Sequence, residues 1–451
     1  MELAKSGPPS LSRLEIKTLH EALPYLSYQP GGTPDTKKAP GLCIYERPVT
    51  EFWNGERPLL LYFPERAVDN YRHLRDAFAR YFQVRIHCAL KCCYMPAVLR
   101  ALRGAGAAAE VISELEWGIA RSVGFRPSHI VSNGVVRTSP YRMALVSTPG
   151  VLIGVDGQEE LEKIEWCARR VGRRPDIMIR VNPLPPGEYF SERSKLGVDA
   201  SEAHRLIEYS LRSPHLELVG VHGHQLVHCA DVDEFARFAR GIGELAAASR
   251  RSNQTGIRLI DLGGGLESRF MLEREGKSVR DFAAAAHDAL AGLPGPCQLI
   301  LEPGRFLFAD AAVVLTKVLG TRRRAQVDWL VTDVASNLLR PISDRSFPPV
   351  PLRMDPHADW QSCHVVDSLC SPTRFWLDAH LPTSAATDGL ALLNCGAYTL
   401  AHASAWATDL PDIGYMENGR VQLVFNQHQQ AELLHSLYGI NLLPYRGTPT
   451  V

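Results

Sequence analysis

Lys91 directly follows a short apolar run, residues 84–90 (VRIHCAL), that has the composition of a buried β-strand. An amine at the end of such a strand is partly removed from water, which lowers its pKa and leaves it free to condense with an aldehyde. The pattern therefore indicates Schiff-base chemistry. The alternative is an ordinary surface lysine just beyond a strand, which is where most lysines lie. The residues that follow the other strands decide between the two interpretations.

Two further strand ends carry residues suited to a phosphate. Residues 263–265 (GGG) follow one apolar run, and residues 302–305 (EPGR) end another. Consecutive glycines allow backbone N–H groups to turn towards a phosphate, Gly304 allows another close approach, and Arg305 supplies a guanidinium. Either segment alone is more often a turn. Together, at strand ends that should meet at one barrel mouth, they predict a phosphate site.

Glu302 ends the apolar run CQLILE. A carboxylate at this position is suited to a cationic ring nitrogen, which it would hold in the protonated form. A phosphate, an aldehyde that reacts with Lys91 and a protonated pyridine ring together describe pyridoxal 5'-phosphate (PLP). We therefore predict PLP as the cofactor.

No metal site is predicted. His224 and His228 stand four residues apart, but no carboxylate or thiolate pattern supports them as ligands. The ten cysteines include no paired Cys-x-x-Cys motifs, and several lie within apolar runs of a long chain. We therefore expect reduced thiols rather than a disulfide framework.

The strand ends must be brought together by the fold. Short β-branched runs alternate with amphipathic helical stretches from about residue 60 to 305. We predict strands at residues 84–90, 107–113, 129–133, 150–156, 176–182, 218–224, 257–263 and 297–302. Eight βα units in about 250 residues favour a closed (β/α)8 TIM barrel over an open doubly wound sheet. The predicted fold class is therefore α/β.

After Arg305 the chain changes to strands, prolines and turns without regular helices, which predicts a mostly antiparallel β-domain. The predicted boundaries are a flexible segment at 1–40, strands joining the β-domain at 41–61, the barrel at 62–305, the β-domain at 306–426 and a C-terminal tail at 427–451.

The charge balance restricts the partners. The 451 residues contain 49 Lys and Arg against 49 Asp and Glu, which argues against nucleic acid or an anionic membrane as the main partner. The chain shows neither a signal-peptide pattern nor a run of about 18 apolar residues. We therefore expect a cytoplasmic protein that acts on a small molecule.

The order of the motifs resembles the fold-type III PLP-dependent decarboxylases, the family of the diaminopimelate, ornithine and biosynthetic arginine decarboxylases, over about residues 55–425. The matching segments are Ala89-Leu90-Lys91, Glu110-Val111-Ile112-Ser113, Ser194-Lys195-Leu196-Gly197, His222-Gly223-His224, Asp261-Leu262-Gly263-Gly264-Gly265, Glu302-Pro303-Gly304-Arg305 and, for the diaminopimelate branch, Leu339-Arg340-Pro341. The resemblance implies an alanine racemase-like barrel with a β-domain, and a homodimer with shared active sites.

The resemblance also implies roles for single residues. Lys91 would bind the PLP aldehyde, His224 would stack on the ring, and Glu302 would pair with the ring nitrogen. The other implied cofactor contacts are Gly263, Gly264, Gly265, Gly304, Arg305 and Tyr398. Cys370, supplied by the partner subunit, would return a proton to the substrate carbon. The implied substrate contacts are Arg305, Arg340, Ser371 and Tyr398. Taken without the resemblance, Cys370 is more simply an inert thiol and Tyr398 a packed aromatic residue.

The chain departs from the family around the substrate. Gln225 follows the stacking histidine where the family has Gly-Ser, so a hydroxyl contact to the phosphate is lost. Ser371 and Pro372 follow Cys370 where the relatives carry a Glu or Asp that contacts substrate, and residues 342–344 (ISD) lack the substrate tyrosine. Residues 406–407 (WA) replace the usual aromatic-Asn pair.

These departures predict a conserved reaction on a different substrate. We expect an amino-acid α-decarboxylase acting on a diaminopimelate-like or modified diamino acid, amide-linked or conjugated to citrate, of the kind used in siderophore or secondary metabolism. Diaminopimelate decarboxylation in lysine biosynthesis is the first alternative. An amino-acid racemase is a second, although Glu302 stands where racemases pair the ring nitrogen with Arg. A non-catalytic, decarboxylase-like regulator is the third.

Overall fold

The protein is represented by a computed structural model that describes residues 10–29, 40–184, 195–253, 257–293, 297–355 and 357–440. The chain divides into two compact units, one made of Ala67–Leu307 and the other of Met1–Arg66 with Phe308–Val451.

The described strands are, in chain order, β1 (Leu26–Tyr28), β2 (Leu42–Ile44), β3 (Arg47–Pro48), β4 (Leu59–Tyr62), β5 (Gln83–Ala89), β6 (Ala108–Val111), β7 (Ile130–Ser132), β8 (Leu152–Val155), β9 (Asp176–Val181), β10 (Glu217–Gly223), β11 (Leu259–Asp261), β12 (Gln298–Leu301), β13 (Ala312–Thr316), β14 (Val318–Arg324), β15 (Val327–Thr332), β16 (Pro349–Pro351), β17 (Trp360–Val366), β18 (Arg374–Pro382), β19 (Leu390–Leu392), β20 (Asp412–Glu417) and β21 (Arg420–Phe425).

The described helices are α1 (Arg13–Lys17), α2 (Leu19–Ala22), α3 (Pro64–Phe78), α4 (Pro96–Gly104), α5 (Glu114–Ser122), α6 (Ser139–Ser147), α7 (Gln158–Val171), α8 (Ala200–Arg212), α9 (Val232–Asn253), α10 (Arg269–Arg274), α11 (Val279–Leu290), α12 (Arg305–Phe308), α13 (Ala385–Asp388) and α14 (Gln427–Tyr438). Within these residues, no helix is long and apolar enough to cross a bilayer.

The eight strands β5 to β12 close into a barrel in the order β10-β11-β12-β5-β6-β7-β8-β9, and every neighbouring pair is parallel. Each predicted strand is present, and the predicted PLP-binding TIM barrel is confirmed. The strands form because short apolar runs can be buried on both faces, inside the barrel and under the helices. Val131, Met178 and Val219, from three different strands, are fully buried and fill the barrel interior.

The second unit contains three sheets, which match the predicted, mostly antiparallel β-domain. Their strand orders are β1-β2-β3, β16-β19-β13-β4-β20-β21 and β14-β15-β17-β18. Two pairs are parallel, β4 with β20 and β15 with β17, and the other pairs are antiparallel. The segment 41–61 supplies β2, β3 and most of β4 to these sheets.

The expectation of a flexible N-terminal segment is wrong for residues 10–29. They form α1, α2 and β1, and Ile16 and Leu26 are fully buried. The Tyr25 ring stacks on Phe63 at a centroid separation of 4.0 Å, and its hydroxyl donates to the carbonyl of Asp310 at 2.6 Å. Burial of these side chains offsets the entropy of ordering the segment. Residues 1–9 and 30–39 lie outside the described residues.

The remaining domain boundaries are close to the predicted ones. The barrel unit runs from 67 to 307, compared with the predicted 62–305. The stretch predicted as a C-terminal tail begins with α14, which is capped by Asn426 and ends at Gly439 in the left-handed region. The tail beyond residue 440 lies outside the described residues, as does Ser194 of the predicted Ser-Lys-Leu-Gly motif.

Candidate active site

Lys91 lies in a single 3-10 turn, Leu90–Cys92, at the carboxyl end of β5. The register of β5 and β6 places Ala89 opposite Glu110, so the next turn carries the Lys91 amine over that carboxylate. Lys91 Nζ lies 2.5 Å from Glu110 Oε2, and the Glu110 side chain is 1% exposed. The strand end predicted to hold a reactive lysine therefore holds an ion pair between a partly exposed ammonium and a buried carboxylate.

This ion pair reverses the predicted direction of the Lys91 pKa. Burial lowers the pKa of Lys91, but the charges of Glu110 and Glu302 outweigh it and raise the pKa above its ordinary value. The expectation of a lowered Lys91 pKa is thus wrong. For Glu110, burial raises the pKa to about 7 against the opposing charge of Lys91. Near neutral pH, Glu110 therefore changes its charge while Lys91 remains an ammonium.

Glu302 follows β12 and is 3% exposed. Asn133, at the end of β7, donates to Glu302 Oε1 at 2.7 Å and to Glu110 Oε1 at 3.4 Å. His222 Nε2 lies 3.5 Å from Glu302 Oε2. Burial acts to raise the pKa of Glu302, but His222 and Lys91 lower it to well below the usual range. Glu302 is therefore an ionised carboxylate in a buried position.

Asp261 stands beside Glu302 and has the opposite protonation. The β10–β11 register places it opposite His222, and its Oδ1 accepts the Gly263 N–H at 2.8 Å. Burial and the charge of Glu302 raise the pKa of Asp261 well above its ordinary value. Two adjacent carboxyl groups in a low-dielectric site adopt opposite protonation states, because two negative charges at this separation would repel each other strongly. Asp261 is therefore protonated beside an ionised Glu302.

His224 follows β10 and faces the same barrel mouth. Its Nδ1 accepts the backbone N–H of Gly264 at 2.9 Å, which fixes the plane of the imidazole and leaves Nε2 to carry the proton. Burial, with the charges of Lys91 and Arg180, lowers the pKa of His224 well below its ordinary value. His224 is therefore a neutral imidazole whose ring plane is fixed by the hydrogen bond from Gly264.

The three glycines after β11 are required by close packing of loops. Gly263 has φ +61° and Gly265 φ +105°, in the region that favours glycine. A Cβ on Gly264 would collide with the carbonyl oxygen of Glu302, and one on Gly265 with the carbonyl oxygen of Leu226. The tight-turn interpretation is therefore correct in part, because the trio is needed for the fold whatever it binds.

The same glycines offer fewer free donors than predicted. The N–H of Gly263 is donated to Asp261, and that of Gly264 to His224. Within the described structure, only the Gly265 N–H of the trio has no intramolecular acceptor. A phosphate in this loop would thus rely on Gly265 and on the start of α12 rather than on three amides.

Arg305 begins α12, and its Nε lies 3.9 Å from Glu267 Oε1. His228 Nδ1 lies 2.7 Å from the other oxygen of Glu267. Burial raises the pKa of Glu267, but Arg305 and His228 lower it to about 2. His228, considered as a metal ligand from the sequence, is therefore engaged with a carboxylate, and Arg305 is held in position by the same group.

Comparison with known proteins identifies the family. The sequence pattern of the pyridoxal-dependent decarboxylases, pyridoxal binding domain, matches residues 66–309, more than half of the chain. The chain belongs to the pyridoxal-dependent decarboxylase family. This decarboxylase is 26% identical over 422 residues to the diaminopimelate decarboxylase of Aquifex aeolicus, covering 91% of this chain and 96% of the relative. It is 29% identical over 395 residues to that of Methanothermobacter thermautotrophicus, covering 84% and 90%.

Solved structures share the fold of this chain. A crystal structure of an Aquifex aeolicus protein superposes with a TM-score of 0.79 at 25% identity, covering 94% of this chain and 100% of that one. Diaminopimelate decarboxylase from M. jannaschii superposes with a TM-score of 0.80 at 22% identity, covering 92% and 98%. The enzyme is a PLP-dependent amino-acid decarboxylase, and the predicted cofactor is confirmed.

The residues at the decarboxylase's barrel mouth fit PLP. Both ring nitrogens of His222 and Oδ2 of Asp261 are buried without a hydrogen-bond partner in the described structure, and they surround the ionised Glu302. Buried polar atoms of this kind require a ligand or water to complete them. His222, Asp261 and Glu302 also have the spacing of a metal site, with ligand atoms within 4.8 Å. The same set also suits a charged ring nitrogen, which a buried carboxylate can pair with.

Gln225 directly follows His224, in the segment where a phosphate-contacting hydroxyl is absent from this chain. Its Oε1 accepts the Leu184 N–H at 2.8 Å and its Nε2 donates to the Leu184 carbonyl at 3.0 Å. Both polar atoms are therefore used to tie two loops of the barrel together. Gln225 therefore serves as a structural link in the described residues.

The four predicted residues of the second unit form two groups. Tyr398 has φ 62° and its ring stacks on His402 at a centroid distance of 6.0 Å. Burial and the charge of Arg340 lower the pKa of His402. Cys370 and Ser371 lie on a separate loop. Cys370 is the one exposed cysteine of the ten, and Ser371 Oγ donates to Thr373 Oγ1 at 2.9 Å.

Sequence reasoning did not assign several residues of the barrel mouth. Glu110 belongs to a matched motif and Asn133 ends a predicted strand, yet neither was given a role. His222 and Asp261 flank residues that were assigned. The signal that marks all four is a polar residue at the carboxyl end of an apolar strand, which in a parallel barrel points to the active site.

Proposed function

We propose that this enzyme removes the α-carboxylate of an amino acid whose far end carries a carboxylate rather than a lone ammonium, such as a diaminopimelate-like, amide-linked or citrate-conjugated diamino acid. The observation that carries the reaction type is the buried carboxylate of Glu302, which lies between Asn133 and His222 at the mouth that also holds Lys91. An electron-accepting pyridine ring needs a carboxylate of this kind at its nitrogen.

In this proposal each barrel residue has a defined task. Lys91 would hold the cofactor through its aldehyde, and His224 would support one face of the ring with its neutral imidazole. Glu302 keeps a proton on the ring nitrogen. Bound PLP supplies an electron sink for the bond that breaks at the substrate α-carbon. Arg305, braced by Glu267, supplies positive charge for the cofactor phosphate or the substrate carboxylate.

The proton that replaces carbon dioxide must come from an acid near the substrate. We propose Cys370 of the partner subunit for this step, in a homodimer with shared sites. The exposure of its thiol is consistent with this role, because the other nine cysteines are buried or partly buried. Burial usually leaves a cysteine unreactive.

The substrate preference follows from the loop after Cys370. Ser371 and Pro372 replace the carboxylate that would meet a distal ammonium, and the Ser371 hydroxyl is engaged with Thr373. Arg340, an exposed cation whose charge lowers the pKa of His402, favours a distal carboxylate. A pocket that lacks a partner for an ammonium discriminates against diamino acids with a free far amine.

Diaminopimelate decarboxylation is the second candidate. The relatives from Aquifex aeolicus and Methanothermobacter thermautotrophicus carry that name, at 26% and 29% identity. Diaminopimelate has both a carboxylate and an ammonium at its far end. Arg340 would suit the carboxylate, whereas Ser371 supplies no negative charge for the ammonium. Racemisation is disfavoured because a carboxylate, Glu302, stands where racemases use an arginine.

A carbon dioxide release screen tests the proposal. The PLP-loaded enzyme would be assayed with meso-diaminopimelate, L-lysine, L-ornithine, L-glutamate, N-succinyl-2,3-diaminopropionate and N-citryl-2,3-diaminopropionate. We expect the highest kcat/KM with the acylated substrates that carry distal carboxylates. A higher kcat/KM for meso-diaminopimelate would favour the second candidate, and a preference for lysine or ornithine would overturn the proposed pocket chemistry. Chiral analysis of each product separates decarboxylation from racemisation.

A further inference from the structure

A pocket of about 540 Å³ opens beside Cys370 in the second unit, and three arginines line it. We infer that this arginine pocket, defined by Arg322, Arg324, Trp329, Asp367, Cys370 and Arg374, binds a substrate arm with two or three carboxylates. The inference rests on the proposed function and narrows its substrate class. The arginines belong neither to the barrel mouth nor to the residues predicted from the sequence.

Strand geometry places two of the arginines on one face. Side chains alternate along β14, so Arg322 and Arg324 point to the same side of the sheet and Arg323 to the other. The register sets Arg322 opposite Trp329 of β15, on the pocket face. Arg323, on the opposite face, lies 3.4 Å from Asp328 and does not line the pocket.

The pocket has excess positive charge. Among the described residues, Arg322 and Arg324 have no acidic partner within ion-pair distance, whereas Arg374 lies 3.0 Å from Asp344. Asp367 is the one acidic residue of the lining, and it already accepts the Ser336 N–H at 3.1 Å. Two uncompensated guanidiniums in a concave site attract a ligand with more than one negative charge.

The arginine pocket is large enough to hold a ligand with more than one carboxylate. A volume of about 540 Å³ lies within the range of about 300–1,000 Å³ typical of small-molecule sites. Its walls include the Trp329 ring and the loop that carries Cys370. Guanidiniums bind planar carboxylates through paired N–H donors, so two arginines on one strand suit two carboxylates of one arm. The thiol in the same lining places such an arm beside the proposed proton donor.

The test compares Arg322→Ala/Arg324→Ala with Arg323→Ala, a matched control on the opposite face of β14. For N-citryl-2,3-diaminopropionate we expect KM to rise about tenfold or more in the double variant, while kcat changes less than about threefold. Arg323→Ala should match the wild type. Free citrate should inhibit the wild type competitively and lose this effect in the double variant, and inorganic phosphate should inhibit neither.

Equal KM values in the double variant and in Arg323→Ala would overturn the inference, as would inhibition by phosphate equal to that by citrate. Size-exclusion chromatography must show the same assembly in both variants; loss of assembly in the double variant alone would instead make the pocket a subunit interface and overturn the inference. Calorimetric titration of PLP-loaded protein with citrate separates the two proposals. One outcome would reject the proposed function but support the arginine pocket. In that outcome no amino acid is decarboxylated, citrate binds to the wild type, and the double variant does not bind citrate.

Discussion

Lys91 and the buried carboxylate of Glu110 form an ion pair, with Nζ and Oε2 separated by 2.5 Å, across the β5–β6 register. The pair stabilises the ammonium form of Lys91, although condensation with an aldehyde requires the neutral amine. The carboxylate therefore opposes cofactor capture when it is ionised. Because burial raises the pKa of Glu110 to about 7, this opposition should develop as the pH rises through neutrality.

Glu110→Gln should accelerate the capture of PLP by cofactor-free enzyme at pH 8, where the wild-type carboxylate is ionised and holds the Lys91 proton. Near pH 6 Glu110 is already protonated, so the two proteins should capture PLP at similar rates. Stopped-flow absorbance of the Schiff-base band measures this rate. Glu116→Gln is the matched control, because Glu116 bonds Tyr94 and the Ile112 N–H instead of Lys91. Equal rates at pH 8 would show that Glu110 does not control the amine.

Glu302→Gln should lower kcat/KM by about 100-fold or more while the protein still binds PLP, because a neutral amide cannot hold a proton on the ring nitrogen. The visible spectrum of the bound cofactor and the carbon dioxide release rate measure the two properties separately. Glu302→Asp keeps the charge and should recover part of the lost activity. Wild-type activity in Glu302→Gln would remove Glu302 from the mechanism.

The barrel was predictable because each of its strands is a short apolar run followed by a polar residue. Because these strands are buried on both faces, they are continuous apolar runs in the sequence, and they can be recognised without knowing which strands they pair with. Lys91 and Glu302 could be selected for the same reason, since each ends one of these runs. Their cofactor could be inferred from chemistry alone.

The Lys91 pKa could not be predicted from its own strand. Its direction depends on Glu110, whose position follows from the pairing of Ala89 with Glu110 in the folded barrel. Likewise, residues 10–29 are ordered through partners far along the chain, such as Phe63 and Asp310. The composition of a segment gives its residue types, whereas these contacts depend on which distant residues the fold places beside it.

Gly264→Ala should destabilise the protein by about 1–3 kcal/mol and weaken PLP binding, because the new methyl group collides with the Glu302 carbonyl and displaces the carboxylate. Gly118→Ala is the control, since Gly118 lies within α5 with nothing within 4 Å of its added Cβ. That change should stabilise by about 0.5–1 kcal/mol. Urea denaturation and PLP titration measure the two effects. A Gly264→Ala protein with wild-type stability would show that the loop can adjust.

Cys370→Ala should lower kcat by about 100-fold or more and leave the PLP spectrum unchanged, because removing a general acid slows proton delivery without disturbing the cofactor. Cys297→Ala is a suitable control, as Cys297 lies partly exposed in the barrel unit. Product analysis in deuterated water would reveal protonation on the wrong face. Full activity in Cys370→Ala would exclude the thiol as the proton donor.

Ser371→Glu should shift the substrate preference towards amino acids with a distal ammonium. Ser371 Oγ contacts Thr373 Oγ1 at 2.9 Å and Asp367 Oδ2 at 3.4 Å, so a glutamate there places a second carboxylate beside Asp367. The added negative charge should attract an ammonium and repel a polycarboxylate arm. We expect the ratio of kcat/KM for meso-diaminopimelate to that for N-citryl-2,3-diaminopropionate to rise about tenfold, equivalent to about 1.4 kcal/mol.

Ser371→Gln supplies the matched control for this change, because it has nearly the same size as glutamate without the charge. It should leave the substrate ratio within about threefold of the wild type, since a neutral amide discriminates weakly between the two distal groups. If Ser371→Gln shifts the ratio as much as Ser371→Glu, side-chain volume rather than charge determines the preference. If neither variant shifts it, residue 371 does not contact the far end of the substrate, and the arginines of the pocket remain the groups that select it.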